Sequence, residues 1–162
     1  MRLTAEARLV QNPAVGALAL WAFVTQFIES HHAHRGPALP LCLPVLPLAL
    51  NYDASTALHA RRFEGGLELA LVENRAIVAG LQDRMVLMTD QTMRALDLAF
   101  ASKILDYDAA SGELISCRKT PPFTAAENSD VRKIVATARR LGHWFAVMQI
   151  ARVLSLLSIR IG

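Results

Sequence analysis

Apolar positions recur along this chain in several distinct rhythms. The first is a continuous run, Ala14 to Val24, behind Asn12-Pro13. Asparagine is a good helix cap, and proline fits the first helical position because its missing N–H has no intrahelical partner there. The pattern predicts a helix to about His31. Leu18, Trp21, Val24, Phe27 and Ile28 cover more than one stripe, so this helix is expected to be central. Residues 1–11 before it read as an arm.

Leu39 to Leu50 is apolar but punctuated by Pro40, Pro44 and Pro47. Proline disrupts a strand ladder, so a short kinked helix or buried loop is expected, with prolines near helix starts. Asp53 or Ser55 should cap a further short helix carrying Leu58. After Gly65-Gly66, Leu67 to Val72 predicts another, and Ile77, Leu81 and Met85 one ending near Leu87. Thr89 then reads as the N-cap of a separate helix whose core face is Met93, Leu96 and Phe100.

The period changes after Lys103. Ile104–Asp108 and Glu113–Arg118 read as strands around Ala109-Ala110-Ser111-Gly112, where glycine supplies positive φ. Two helices in tight succession followed by a hairpin are the order of a winged-helix unit. Thr120-Pro121-Pro122 gives an extended connection. From Ser129 or Asp130 a long helix carries Val131, Ile134, Val135, Ala138, Leu141 and Phe145 on its apolar face. Arg132, Lys133, Arg139, Arg140 and His143 fall on the other face. A short helix and an extended tail close the chain. The expected fold is mainly α: a winged-helix-like core over residues 63–120, with helical parts at 1–62 and 121–162, in a single domain.

Composition is ordinary to slightly apolar, with 53% hydrophobic and 19% charged residues. Net charge is only +3, but residues 129–162 hold six cations against Asp130 alone. The basic character therefore sits in that C-terminal segment. Cys42 and Cys117 are far apart and lack metal-ligand spacing, which fits a reducing compartment. The early apolar run is too short to span a bilayer before Thr25, Gln26 and Glu29, and a soluble, cytoplasmic chain is expected.

Candidate chemistry is sparse. His31-His32-Ala33-His34 lacks the i, i+4 spacing that would present two imidazoles to one metal, and a solvated helix end explains it better. Asp106, Asp108 and Glu113 flank the hairpin turn without a partner base and read as a solubilising tip. No phosphate-binding, dinucleotide or nucleophile-elbow signature is present, and no enzyme, cofactor or metal is expected. The Thr89 helix offers only Arg94 against Asp90 and Asp97, a poor DNA-facing surface. The basic face at Arg132, Lys133, Arg139, Arg140 and His143 is the better candidate for a partner or DNA, and Trp144 beside it for an interaction anchor.

Four blocks together resemble a known family. They are Asn12-Pro13-Ala14-Val15-Gly16-Ala17, the proline-punctuated Leu39–Leu48, Ala138-Arg139-Arg140-Leu141-Gly142-His143-Trp144-Phe145, and Leu156-Leu157-Ser158-Ile159-Arg160. In this order they resemble the middle component of bacterial three-component ABC-ATPase systems, with Ser158 where that family usually has glycine. The resemblance implies a non-enzymatic adaptor in Lamassu-like anti-phage defence. Its partners would be an SMC- or Rad50-like ABC ATPase and an effector, often a nuclease, in a hetero-oligomer that meets DNA through the complex. The alternative is a stand-alone winged-helix transcriptional regulator that binds DNA as a homodimer.

Overall fold

The computed structural model describes residues 12–121 and 129–160. The expected N-terminal arm lies outside these residues, as does the stretch that follows Pro121. Helix α1, Pro13–Ser30, is the axis of the fold. Asn12 caps it, its side chain accepting from the Ala14 N–H at 2.9 Å. Every residue from Val15 to Val24 is buried. The all-round apolar run is therefore the sequence of a helix covered on all sides. The apolar run is shorter than a bilayer, but the whole 18-residue helix is long and apolar enough to cross one; most of it is buried within this fold.

Two long helices pack on α1, each across a glycine. A Cβ on Gly16 would lie 2.8 Å from Cβ of Ala95, on the helix Leu81–Ala101, α5. A Cβ on Gly142 would lie 2.4 Å from the Phe23 carbonyl oxygen. Gly142 belongs to α6, Ser129–Val147. It lets two helix backbones approach closely rather than loosening its own helix. Phe23 meets Phe145 edge to face at 5.5 Å, and Trp21, Trp144, Leu20 and Leu46 are buried in the same core.

The proline block folds as a 3-10 turn, Leu39–Cys42, and α2, Val45–Ala49, with Pro40 and Pro44 at their starts. The next helix, α3, spans Tyr52–His59. Its cap is Asn51, which accepts from the Ala54 N–H at 3.0 Å, rather than Asp53 or Ser55. Ser55 is instead buried, 2.9 Å from the Thr137 hydroxyl of α6. Helix α4, Gly66–Glu73, follows a 3-10 turn.

The largest departure from expectation is in the next segment. Helix α5 runs unbroken from Leu81 to Ala101. The break comes earlier, at Gly80, whose φ of +66° is left-handed. Thr89 is interior, its hydroxyl donating to the Met85 carbonyl at 2.8 Å. Threonine can satisfy itself on the preceding turn as well as cap a new one, and nothing between Leu81 and Ala101 demands a break. The two expected helices are thus one, without the turn of a helix-turn-helix. Its buried face is Thr92, Ala95, Leu96 and Ala99, so Met93 turns partly outward.

The hairpin forms as expected. Strands β1, Leu105–Asp108, and β2, Glu113–Ser116, pair antiparallel with Leu105 opposite Ser116 and Asp108 opposite Glu113. Gly112 takes φ +74° in the turn. The other edge of β2 is occupied by the chain at Pro37–Leu39, whose Pro37 carbonyl accepts from the Leu114 N–H at 2.9 Å. Gly36 is required there, since a Cβ would meet the Leu114 carbonyl oxygen at 1.8 Å. Helix α7, Ile150–Leu156, ends with Ser158 left-handed at φ +56°.

Candidate functional site

Helix α6 does not present one continuous basic face. It lies against α1 on one side and α3 on another, so a side chain pointing away from α1 is not thereby in solvent. Arg132 and Arg139 are exposed. Lys133 is drawn onto α3, with Nζ 3.1 Å from the Thr56 hydroxyl and 4.0 Å above the Tyr52 ring. Arg140 donates from Nε to the Arg61 carbonyl at 2.6 Å and from Nη1 to the Ala136 carbonyl, beside the Phe63 ring. His143 sits with Nδ1 2.8 Å from the Ser30 hydroxyl and its ring 4.8 Å from that of Phe63. Burial holds its pKa below the ordinary value. These three side chains tie α6 to its neighbours.

Trp144 is also internal. It is 1% exposed, and its indole N–H donates to the Phe63 carbonyl at 3.0 Å. The expected surface anchor is a core residue, because the turn after α3 folds over the helix face on which it lies.

Arg139 gains a neighbour that sequence spacing could not supply. The chain leaving β2 is pinned on α1, with the Trp21 indole donating to the Arg118 carbonyl at 2.9 Å. Thr25 and Ser116 share a hydroxyl contact of 2.7 Å. This places Lys119 and Arg139 on one polar crevice of about 110 Å3, floored by Thr25, Gln26 and Glu29 of α1.

The second surface is apolar. A groove of about 490 Å3 lies between the proline block, α5 and α7, lined by Pro40, Leu43, Met85, Val86, Leu154 and Leu157 among others. Val86 on its α5 wall is 70% exposed and Ile150 on its α7 wall 50%, with Leu87 next to Val86 at 80%. The Arg160 backbone N–H donates to Gln82 Oε1 at 3.2 Å, holding the tail against α5. Sequence reasoning missed this surface because Val86 and Leu87 were assigned to a helix end. Four apolar residues in succession, Met85-Val86-Leu87-Met88, which no single helix face can bury, were the available signal.

The remaining candidates have structural roles. His31 accepts the Ala33 and Arg35 N–H groups at the end of α1 and stacks on Phe27. Asp108 organises the hairpin turn, where the Ser111 hydroxyl and Ala110 N–H hold its carboxyl pKa down. Cys42 is buried and Cys117 exposed; both are free. Burial pushes the Cys42 thiol far up, away from a reactive thiolate. Among the described residues, no group of three or more His, Cys, Asp and Glu side chains could hold a metal ion.

An open apolar groove and a separate cationic crevice are surfaces suited to work by contact with other molecules. The chain belongs to the family described as ABC-three component (ABC-3C) system Middle Component 3, whose model matches residues 1–161. It is thus a middle component of such a system. No curated protein and no solved structure matches it.

Proposed function

We propose that this protein is a non-enzymatic adaptor that docks on an SMC- or Rad50-like ABC ATPase and couples it to an effector, such as a nuclease, in Lamassu-like anti-phage defence. Family membership supplies the other components, and the groove between α5, α7 and the proline block supplies a place for one of them. The observation that carries the reading is the exposure of Val86 and Ile150, which line that groove from opposite walls. Fully burying one such side chain is worth about 1.5–3 kcal/mol, so a partner covering both gains a substantial driving force. The occupant we assign is an amphipathic helix or edge of the ATPase. The apolar α1 is already covered within this chain, so the proline block and the closing residues are what remain to meet it. The reading places the complex in the cytoplasm, where an ATPase finds its nucleotide.

The winged-helix regulator is the weaker reading. It needs a separate recognition helix, and the Thr89 segment is the interior of α5. The hairpin alone retains the wing of that arrangement.

The test is co-expression with the neighbouring ATPase gene, followed by pull-down on a tag placed on this chain. Stoichiometric recovery of the ATPase is expected, with Val86→Asp/Ile150→Asp abolishing it while the far-UV circular dichroism of the chain is unchanged. Full recovery with that double variant would remove the groove from the interface. Failure of the wild-type chain to bring down the ATPase would overturn the adaptor reading.

A further inference from the structure

The cations among the described residues differ in what holds them, and Arg84 is tied to the Ala79 and Ile77 carbonyls. Arg35, Arg61, Arg94 and Arg152 are each ion-paired with a carboxylate, and Arg140 and Lys133 are held by the contacts described above. Arg62, Arg75, Lys103 and Arg160 are exposed with no ion pair among the described residues, and so are Arg118, Lys119, Arg132 and Arg139. The last four come from two segments, the exit of β2 and helix α6. The pinning of Arg118 and Ser116 on α1 brings the hairpin exit beside α6, and Lys119 and Arg139 share a crevice in which Glu29 is the one acid among the described residues. Arg132 and Arg139 are seven residues apart, so they lie on one face of α6, about 10.5 Å apart along its axis.

We infer that this surface holds a nucleic-acid phosphate backbone, with Lys119 and Arg139 gripping it at the crevice and Arg118 and Arg132 extending the contact to either side. Two features choose nucleic acid over an acidic protein. A protein interface is built around an apolar anchor, and among the described residues the crevice has no exposed apolar side chain, since its Trp21 and Ala22 are each 1% exposed. Unpaired cations spread over roughly 10 Å match a repeating charge, about three phosphates of one strand at roughly 3.4 Å of axial rise each. The contact reads no sequence, because nothing here is shaped to enter a groove and meet base edges. It uses none of the residues of the apolar groove, so DNA and ATPase bind to different faces, and either inference stands if the other fails.

Fluorescence anisotropy with a labelled 30-base-pair DNA duplex of arbitrary sequence tests this. The wild-type chain should bind in the micromolar range at low salt. Its log K should fall by about 0.9 per phosphate contact for each tenfold rise in salt. Lys119→Gln/Arg139→Gln should lower affinity at least tenfold and make the salt slope shallower by roughly two contacts. Arg62→Gln/Arg75→Gln removes equal charge from exposed positions elsewhere and should change affinity less than twofold. Both pairs are at the surface, and equal melting temperatures confirm the comparison. Equal loss in both double variants would make the effect one of net charge alone and overturn the proposal. So would unchanged binding by the first pair, or no salt-dependent binding by the wild type. If DNA binding is unchanged but ATPase recovery is lost with Lys119→Gln/Arg139→Gln, the crevice docks an acidic protein and the proposal is wrong.

Discussion

Gly142→Ala separates two physical arguments by the sign of the result. Glycine in a helix interior costs about 1 kcal/mol relative to alanine, so propensity alone predicts a more stable protein. The packing predicts the opposite. The new methyl carbon would sit 2.4 Å from the Phe23 carbonyl oxygen, 3.1 Å from the Phe27 nitrogen and 3.2 Å from Cβ of Gln26. Two of these atoms are helix backbone and cannot rotate away. Relief requires α1 and α6 to separate by several tenths of an ångström, and α1 cannot retreat because Gly16 already sets it against Ala95 of α5. Separation also loosens Phe23 against Phe145. Overpacking of this kind costs about 1–3 kcal/mol, more where the obstacle is backbone. Set against the propensity gain, the net loss should be about 2 kcal/mol. For a chain of this size that is a fall in melting temperature of roughly 4–8 °C. Gly65→Ala is the internal control, since its Cβ would approach only Leu69, at 3.9 Å, from an ordinary helical φ of −69°. It should be neutral or slightly stabilising. Thermal unfolding followed by circular dichroism measures both. A Gly142→Ala protein that melts at or above the wild type would refute the close-crossing argument.

Two further outcomes follow from local chemistry. Ser158 closes α7 in a left-handed conformation, with the Ile159 N–H reaching the Leu154 carbonyl at 2.9 Å and the Ser158 N–H reaching Ser155 at 3.1 Å. This double bond is the helix stop that favours glycine. Ser158→Gly should therefore raise stability by about 0.5–1 kcal/mol in denaturant melts, and a loss would show that the serine side chain contributes more than its backbone strain costs. The third prediction concerns pH. Burial lowers the His143 pKa from the ordinary 6.5. Below about pH 6.5 the unfolded chain takes up a proton that the folded chain resists, so stability falls with pH from about 6.5 down to the folded pKa. His143→Gln should flatten that part of the stability curve, and an unchanged slope would assign it to another group, His31 being the first candidate because burial lowers its pKa too.

The elements that were legible in the sequence are those whose signal is local. Asn12-Pro13 names its own helix start, Gly112 its own turn, and the period of Val131, Ile134, Ala138 and Leu141 its own buried face. Thr89 was misread because its hydroxyl has two equivalent uses, and only the surrounding chain selects between them. The basic face was misread for a different reason. Helical spacing gives the direction of Lys133, Arg140, His143 and Trp144, but not what lies there. Tyr52, Phe63 and the Arg61 carbonyl come from 70 or more residues earlier. The same long-range placement that removes those residues from solvent brings Lys119 to Arg139.

The family-like blocks acquire physical meaning from this arrangement. The glycine of Asn12–Ala17 sets the α1–α5 crossing, and the glycine of Ala138–Phe145 sets the α1–α6 crossing. Within that second block, Arg139 lines the crevice and Phe145 the apolar groove. Six residues of helix separate them, about 9 Å along the axis, with Gly142 midway. One rigid helix thus forms part of both surfaces and is held to α1 between them. A partner in the groove that moved Phe145 would act on the same rod that positions Arg139. On the proposed adaptor reading, the two contacts are coupled without a hinge, because the connecting element is a single helix set by a close backbone crossing.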